Sequence, residues 1–261
     1  MKPAIELRGL SFAVPPGRLL LDNISLALGE GSTTAILGRS GSGKTTLLRT
    51  VNRLVEPTSG EVLVLGERVA NVSPISLRRR IGYVIQETGL FPHFNLERNV
   101  GLVLEAMGRG RSERIRRSHD LLNTVGLAAE TFAQRFPHQL SGGQRQRAGL
   151  ARALAANPDI LLMDEPFGAL DPLTRAEMQD MLKDLLGRMK KTVLLVTHDL
   201  DEALFLADRI VLLRDGKLMA DLSPQEFVDS REPEIEAYIR AFHRIGAEAS
   251  GASARQAEMR R

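Results

Sequence analysis

The sequence predicts an α/β protein, with a layered core of β-α-β units, an antiparallel β unit ahead of it and a helical unit inserted within it. Three patterns predict this. The first third carries strand signals almost throughout. A middle stretch of roughly 40 residues has helical spacing and no strand signal. The last part alternates short apolar runs with helices, which is how a parallel sheet is laid down. The composition, 43% hydrophobic and 26% charged over 261 residues, is that of a globular chain and excludes wholesale disorder.

Taken in order, Ile5–Leu10 and Leu19–Leu28 read as strands joined at the Val14-Pro15-Pro16-Gly17 turn. Thr33–Leu37 is a short apolar strand that runs into a glycine-rich loop. Thr45–Leu54 has helical spacing at Leu47, Leu48, Val51 and Leu54, and Pro57 stops it. Glu61–Leu65 and Ile81–Ile85 are strands again. Asn95–Gly108 reads as a helix with Asn95 as N-cap and Gly108 as its stop. Arg111–Val125 and Ala129–Phe136 continue the helical run, giving an inserted subdomain over about 93–157. Asp159–Asp164 is a strand, Pro172–Met189 a helix with proline in its first turn, and Thr192–Thr197 a strand. Asp201–Ala207 is helical, and Arg209–Arg214 with Lys217–Leu222 forms a hairpin around Asp215-Gly216. The main domain is therefore expected over 1–222, followed by C-terminal helices over 223–247. The tail, 248–261, is small and polar with no apolar face, and is expected to be disordered.

Several function classes are excluded early. The chain has no cysteine, so disulfide scaffolds, thiol catalysis and Cys-ligated zinc are out. No apolar run approaches the ~18 residues that span a bilayer. Glu6 interrupts any apolar core near the start, so no secretory signal is expected. The formal charge is +3, from 35 Lys and Arg against 32 Asp and Glu. Arg109–Arg117 concentrates basic residues, but no stacking aromatics are interleaved, which favours a solvated helix face over nucleic acid. The histidines, His93, His119, His138, His198 and His243, show no i, i+4 ligand spacing, so metal chemistry other than Mg²⁺ is unsupported.

Gly38-Arg39-Ser40-Gly41-Ser42-Gly43-Lys44-Thr45 fits G-x-x-x-x-G-K-[ST] between a predicted strand and a predicted helix, the context that motif requires. Its glycines let the backbone approach closely, and the loop N–H groups and helix N-terminus face an anion. Lys44 then supplies a cation near the β and γ phosphates of a nucleotide, and the Thr45 hydroxyl can ligate Mg²⁺. Ile160–Met163 ends in adjacent carboxylates, Asp164 and Glu165, which are costly at a buried strand end unless a cation or a hydrogen-bonding group meets them. Asp164 suits Mg²⁺, and Glu165 suits an attacking water in line with the γ-phosphate. A second helix opens at Leu140-Ser141-Gly142-Gly143-Gln144, with Ser141 as cap and a second set of N–H donors. One γ-phosphate does not need two anion sites in one chain.

These motifs together resemble the nucleotide-binding subunit of an ATP-binding cassette (ABC) transporter, over about Ile5–Leu222. Gly38–Thr46, ending in Thr45 and Thr46, matches Walker A, and Ile160–Glu165 matches Walker B with its catalytic glutamate. Gln86 matches the Q-loop, Leu140–Gln144 the signature, Ala169-Leu170-Asp171 the D-loop and His198 the H-loop switch. The resemblance implies a P-loop ABC ATPase fold with a RecA-like core and ATP and Mg²⁺ as cofactors. Thr45, Gln86 and Asp164 would sit at the metal. It also implies a head-to-tail pair of cassettes, in which Ser141, Gly142, Gly143 and Gln144 reach the ATP held by the other copy's Lys44. The family usually stacks an aromatic on adenine; the matching position here is Val14, with Phe12 two residues earlier as a substitute. Arg39 stands where proline is frequent and is expected to point out of the cradle.

Arg78–Gln86 with Gly89–Phe94 is similar to the segment found in importers of glycine betaine, choline and carnitine. The resemblance thus implies a transmembrane permease partner, an extracytoplasmic solute-binding protein and a peripheral position on the cytoplasmic membrane face. With 39 residues after Leu222, the tandem regulatory domain many such ATPases carry is not expected. An importer of another solute, a lipid transporter or an exporter would share the motor motifs. A P-loop kinase or GTPase would share Gly38–Thr45 but would not need the signature or His198. A DNA-repair ATPase would separate Lys44 from Ser141 by a coiled-coil arm that is absent here.

Overall fold

Strand β3 (Thr33–Leu37) is buried along its whole length, and the elements that matter for function are placed relative to it. The computed structural model describes residues 3–242. β3 lies inside a six-stranded sheet in the order β10-β9-β3-β8-β7-β6. Its neighbours are β6 (Ile81–Val84), β7 (Ile160–Asp164), β8 (Thr192–Val196), β9 (Arg209–Arg214) and β10 (Lys217–Leu222). The pairings from β9 through β6 are parallel, and only the β10 edge is antiparallel. A second, antiparallel sheet has the order β2-β1-β4-β5, formed by β1 (Pro3–Val14), β2 (Arg18–Gly29), β4 (Ser59–Val64) and β5 (Glu67–Arg68).

The parallel strands are apolar on both faces because both faces are covered. Ile160, Leu162, Leu194 and Val196 point to one core, where Leu47, Leu48 and Val51 of helix α1 (Lys44–Val51) pack between the two sheets. Leu161, Met163, Val193 and Leu195 point to the other, under the helices that follow β6 and β7. Each such fully buried side chain contributes roughly 1.5–3 kcal/mol, so both layers are held firmly to the sheet. Between β6 and β7 stand α3 (Leu96–Ala106), α4 (Arg111–Thr124), α5 (Ala129–Phe132) and α6 (Gly142–Leu154). α7 (Pro172–Met189) and α8 (Leu200–Leu206) flank β8. After β10 come α9 (Pro224–Asp229) and α10, helical over 233–242.

β3, α7 and the β9–β10 hairpin have the limits expected from sequence. Asn95 and Ser141 are the N-caps expected, each accepting the N–H of the third residue on. Other elements differ. α1 stops at Val51, not Leu54, because Arg53 takes a left-handed φ of 52° and its carbonyl is held by Arg78. α5 stops at Phe132, short of Phe136. α2 (Pro74–Arg79) and β5 were not expected from sequence. The last part of the expected C-terminal helices, 243–247, and the tail 248–261 lie outside the described residues.

Candidate functional site

In an open parallel sheet, ligands gather beyond the carboxyl ends of the strands. Here four neighbouring strands deliver four pieces to that edge: β3 the Gly38–Thr45 loop, β8 His198, β7 Asp164 and Glu165, and β6 Gln86. Sequence distance is cancelled by strand adjacency. They meet around a cavity of about 570 Å³ lined by Leu20, Ser40, Gly41, Gly43, Lys44, Thr45, Thr46, Gln86, Glu165 and His198.

The loop is built close to its surroundings. Gly43, the left-handed N-cap of α1 at φ 103°, would place a Cβ 2.5 Å from the Leu20 carbonyl. A Cβ on Gly38 would collide with the Leu213 carbonyl and with Ser42 Oγ. Lys44 is 5% exposed, and its Nζ donates to the carbonyls of Gly38 at 2.8 Å and Arg39 at 3.0 Å. Burial pulls the Lys44 ammonium below its usual pKa, opposed by the charges of Glu165 and Asp164. The Ser42 hydroxyl is buried without a hydrogen-bond partner among the described residues. Thr45 Oγ1 donates to Asp164 Oδ1 at 2.8 Å, and the Tyr83 hydroxyl reaches Asp164 Oδ2 at 3.4 Å. The donor set fits a polyphosphate. It fits a divalent ion only in part, since no group of three or more His, Cys, Asp or Glu converges among the described residues. A Mg²⁺ here would depend on phosphate oxygens and water for its remaining ligands.

Glu165 is a left-handed residue at φ 45°, which costs a non-glycine residue on the order of 1–3 kcal/mol. Its N–H is held by the Val196 carbonyl at 2.9 Å. The turn delivers the carboxylate to two partners: Gln86 Nε2 donates to Oε2 at 3.2 Å, and His198 Nδ1 lies 3.3 Å from the same oxygen. The loop after Gln86 is anchored from the far end of α6, where Arg152 Nη2 donates to the Thr88 carbonyl at 2.8 Å.

Other expected residues lie elsewhere. Ser141, Gly142, Gly143 and Gln144 open α6 away from the cavity, where a Cβ on Gly143 would meet Thr174 of α7. Asp171 caps α7, accepting the Thr174 N–H at 3.1 Å, and that bonding with Thr174 holds its carboxyl below the usual range. Gly38, Arg39 and Ser42 line the opposite side of the loop, against a second cavity of about 400 Å³. Neither Phe12 nor Val14 lines the main cavity. Phe12 pairs with Leu21 and packs against the core between the sheets, while Val14 pairs with Arg18 at the turn. The register shifts on either side of Phe12 leave extra residues on β2, Leu20 among them, without a β1 partner. The aliphatic side chain the cavity has is Leu20, which no sequence motif marks.

Sequence reasoning also missed Glu202. It is 3% exposed, accepts the Thr197 hydroxyl at 2.6 Å, and lies 4.0 Å from Arg175. Burial pushes its pKa up from 4.5 to about 7, against the Thr197 hydrogen bond and the Arg175 charge. The protonated form is thus favoured in the folded protein. Its contribution to stability is fully present below about pH 4.5 and lost as pH rises through about 7. Glu202→Gln is always neutral and is expected to stabilise the protein at pH 8 by on the order of 3 kcal/mol, with a much smaller gain at pH 5. Urea unfolding at both pH values checks this; equal gains would reject the titration.

Comparison with known proteins decides the family. Residues 21–168, more than half of the chain, match the ABC transporter family. The chain belongs to the ABC transporter family. Within it, this is an ATP-binding domain with the ABC ATPase cassette fold. The post-hydrolysis dimer of the cassette MJ0796 bound to ADP and Pi is similar in structure, with a TM-score of 0.76 and 37% identity, over 84% of this chain and 98% of that one. Choline transport ATP-binding protein OpuBA of Bacillus subtilis is 42% identical over 90% of this chain. Osmoprotectant import ATP-binding protein OsmV of Salmonella typhimurium is 46% identical over 80% of it. The chain spans 62% and 54% of those two relatives' own length. No helix among the described residues is long and apolar enough to cross a membrane.

Proposed function

We propose that this ABC cassette is the ATP-hydrolysing motor of a transporter that imports quaternary-amine osmoprotectants. The observation that carries the reading is the meeting of Lys44, Thr45, Gln86, Glu165 and His198 around one cavity at the carboxyl edge of the sheet. The backbone of Gly38–Thr45 and Lys44 bind the β and γ phosphates of ATP. Thr45 and Asp164, with Gln86 nearby, would hold Mg²⁺, which would supply charge neutralisation for the phosphates. Glu165 orients and deprotonates the attacking water, and Gln86 and His198 fix the carboxylate oxygen that does so. The Ser141–Gln144 helix start is an anion site turned away from the chain's own phosphate loop, and it suits the ATP held by a second cassette in a head-to-tail dimer. Asp171, at the start of α7, belongs to the same face. Support for the solute class comes from the Arg78–Gln86 and Gly89–Phe94 segments and from the names of the relatives, a choline transporter and an osmoprotectant importer. A permease and an extracytoplasmic binding protein complete such an importer, and the cassette sits peripherally on the cytoplasmic face.

The test is ATPase rate in liposomes carrying the chain with its permease and binding protein, across a panel of quaternary amines. Stimulation by glycine betaine, choline or carnitine is the expected result. Turnover indifferent to all of them would retain the motor and reject the solute class.

A further inference from the structure

The second cavity, behind the phosphate loop, has a wall that the reading above does not use. α10 supplies it. Ile235, Tyr238, Ile239 and Phe242 recur at helical spacing and pack with Leu37, Leu200 and their neighbours. Leu37 directly precedes Gly38, and Leu200 follows His198 by two positions, so the helix rests on the roots of both loops. An ion pair between Arg214 and Glu234 ties the start of α10 to the end of β9.

Within this apolar seat Tyr238 has one polar end. Its hydroxyl donates to the His198 carbonyl at 3.3 Å. Burial pushes the phenol up to about 12, outweighing the pull of the Gly38 backbone on the same oxygen, so the group stays a neutral donor at working pH. The Gly38 carbonyl accepts Lys44 Nζ, and His198 Nδ1 faces Glu165. Lys44 is thus tied to the Gly38 carbonyl and Tyr238 to the backbone of His198, whose imidazole faces Glu165, and Gly38 and Tyr238 line the same second cavity. The phosphate loop and the H-loop leave neighbouring strands, and the backbone bond between their roots, Thr197 N–H to the Ile36 carbonyl at 3.2 Å, comes one residue before His198. The Tyr238 hydroxyl adds a contact to His198 itself from a third element.

We propose that Tyr238 is a positioning residue of the hydrolytic site, holding the His198 backbone against the start of the phosphate loop so that the imidazole meets Glu165 at working distance. The proposal rests on the ATPase reading above. A misplacement of about 1 Å at such a site can cost roughly a hundred-fold in rate, so a single hydrogen bond outside the cavity has a measurable effect.

Tyr238→Phe keeps the ring in its seat and removes only the hydroxyl. In the full chain it is expected to lower kcat about three- to tenfold, with KM for ATP within about twofold and Tm within about 2 °C of the parent. Tyr238→Ala, which also empties the seat, should lower Tm as well. A structural tyrosine would instead give a Tyr238→Phe with parental kcat, or with kcat and Tm falling together, and either result overturns the proposal. A rise in KM at constant kcat overturns it too. Glu165→Gln is run alongside. Turnover that does not depend on Glu165 overturns the hydrolytic reading and the positioning role with it. Turnover that depends on Glu165 but survives Tyr238→Phe unchanged overturns the positioning role alone.

Discussion

Glu165→Gln is expected to reduce ATP turnover about a hundred- to ten-thousand-fold while leaving ATP bound and trapping a closed dimer. The substitution is nearly isosteric, and a glutamine oxygen can still accept the Gln86 amide and face His198, so the left-handed turn and its partners persist. What disappears is the basic oxygen, and general-base catalysis accounts for a loss of this size. Phosphate release measures the first effect; size-exclusion chromatography with and without ATP measures the second. Turnover at the parental rate would remove Glu165 from its role. Normal turnover loss without a dimer would keep the base and reject trapping by the second cassette's signature.

Lys44→Ala is expected to act one step earlier, on binding itself. The Lys44 ammonium is held inside the loop, where burial already works against its charge. A triphosphate would relieve that penalty, and hydrogen bonds to charged groups contribute about 1.5–3 kcal/mol each. Losing one such bond corresponds to roughly 10- to 150-fold weaker ATP binding, and losing two to a larger loss. Equilibrium titration with a fluorescent ATP analogue reads it directly. Retained tight affinity would contradict the phosphate-loop assignment, whatever the turnover.

The features legible in the sequence are those that depend on near neighbours. Thr33–Leu37 is apolar throughout because both its faces are covered, and Asp215-Gly216 specifies a hairpin locally, with Asp215 at φ 48° and Gly216 at φ 76°. Asn95 and Ser141 cap their helices through residues three positions away. The phosphate loop and the strand-end acids are contiguous in sequence, and parallel adjacency of β3, β8 and β7 then brings them together. The short elements carried too little pattern. β5 is two polar residues, and α2 buries one side chain, Leu77, although Ser73-Pro74 is a helix-start signal. Leu20, Glu202 and Tyr238 reach the site or its walls only through tertiary packing, so no local spacing marks them. Phe12 shows the converse: an aromatic near the position where the family stacks on adenine packs against the core between the sheets and does not line the cavity.

The molecule has no tryptophan and two tyrosines. One, Tyr83, hydrogen-bonds Asp164 at the end of β7; the other, Tyr238, hydrogen-bonds the backbone of His198 after β8. Its near-ultraviolet emission is therefore dominated by two phenols, each attached to a wall of the same site. The protein carries its own spectroscopic reporter of what the site holds, without a label, and Tyr→Phe at either position assigns the signal to one wall or the other.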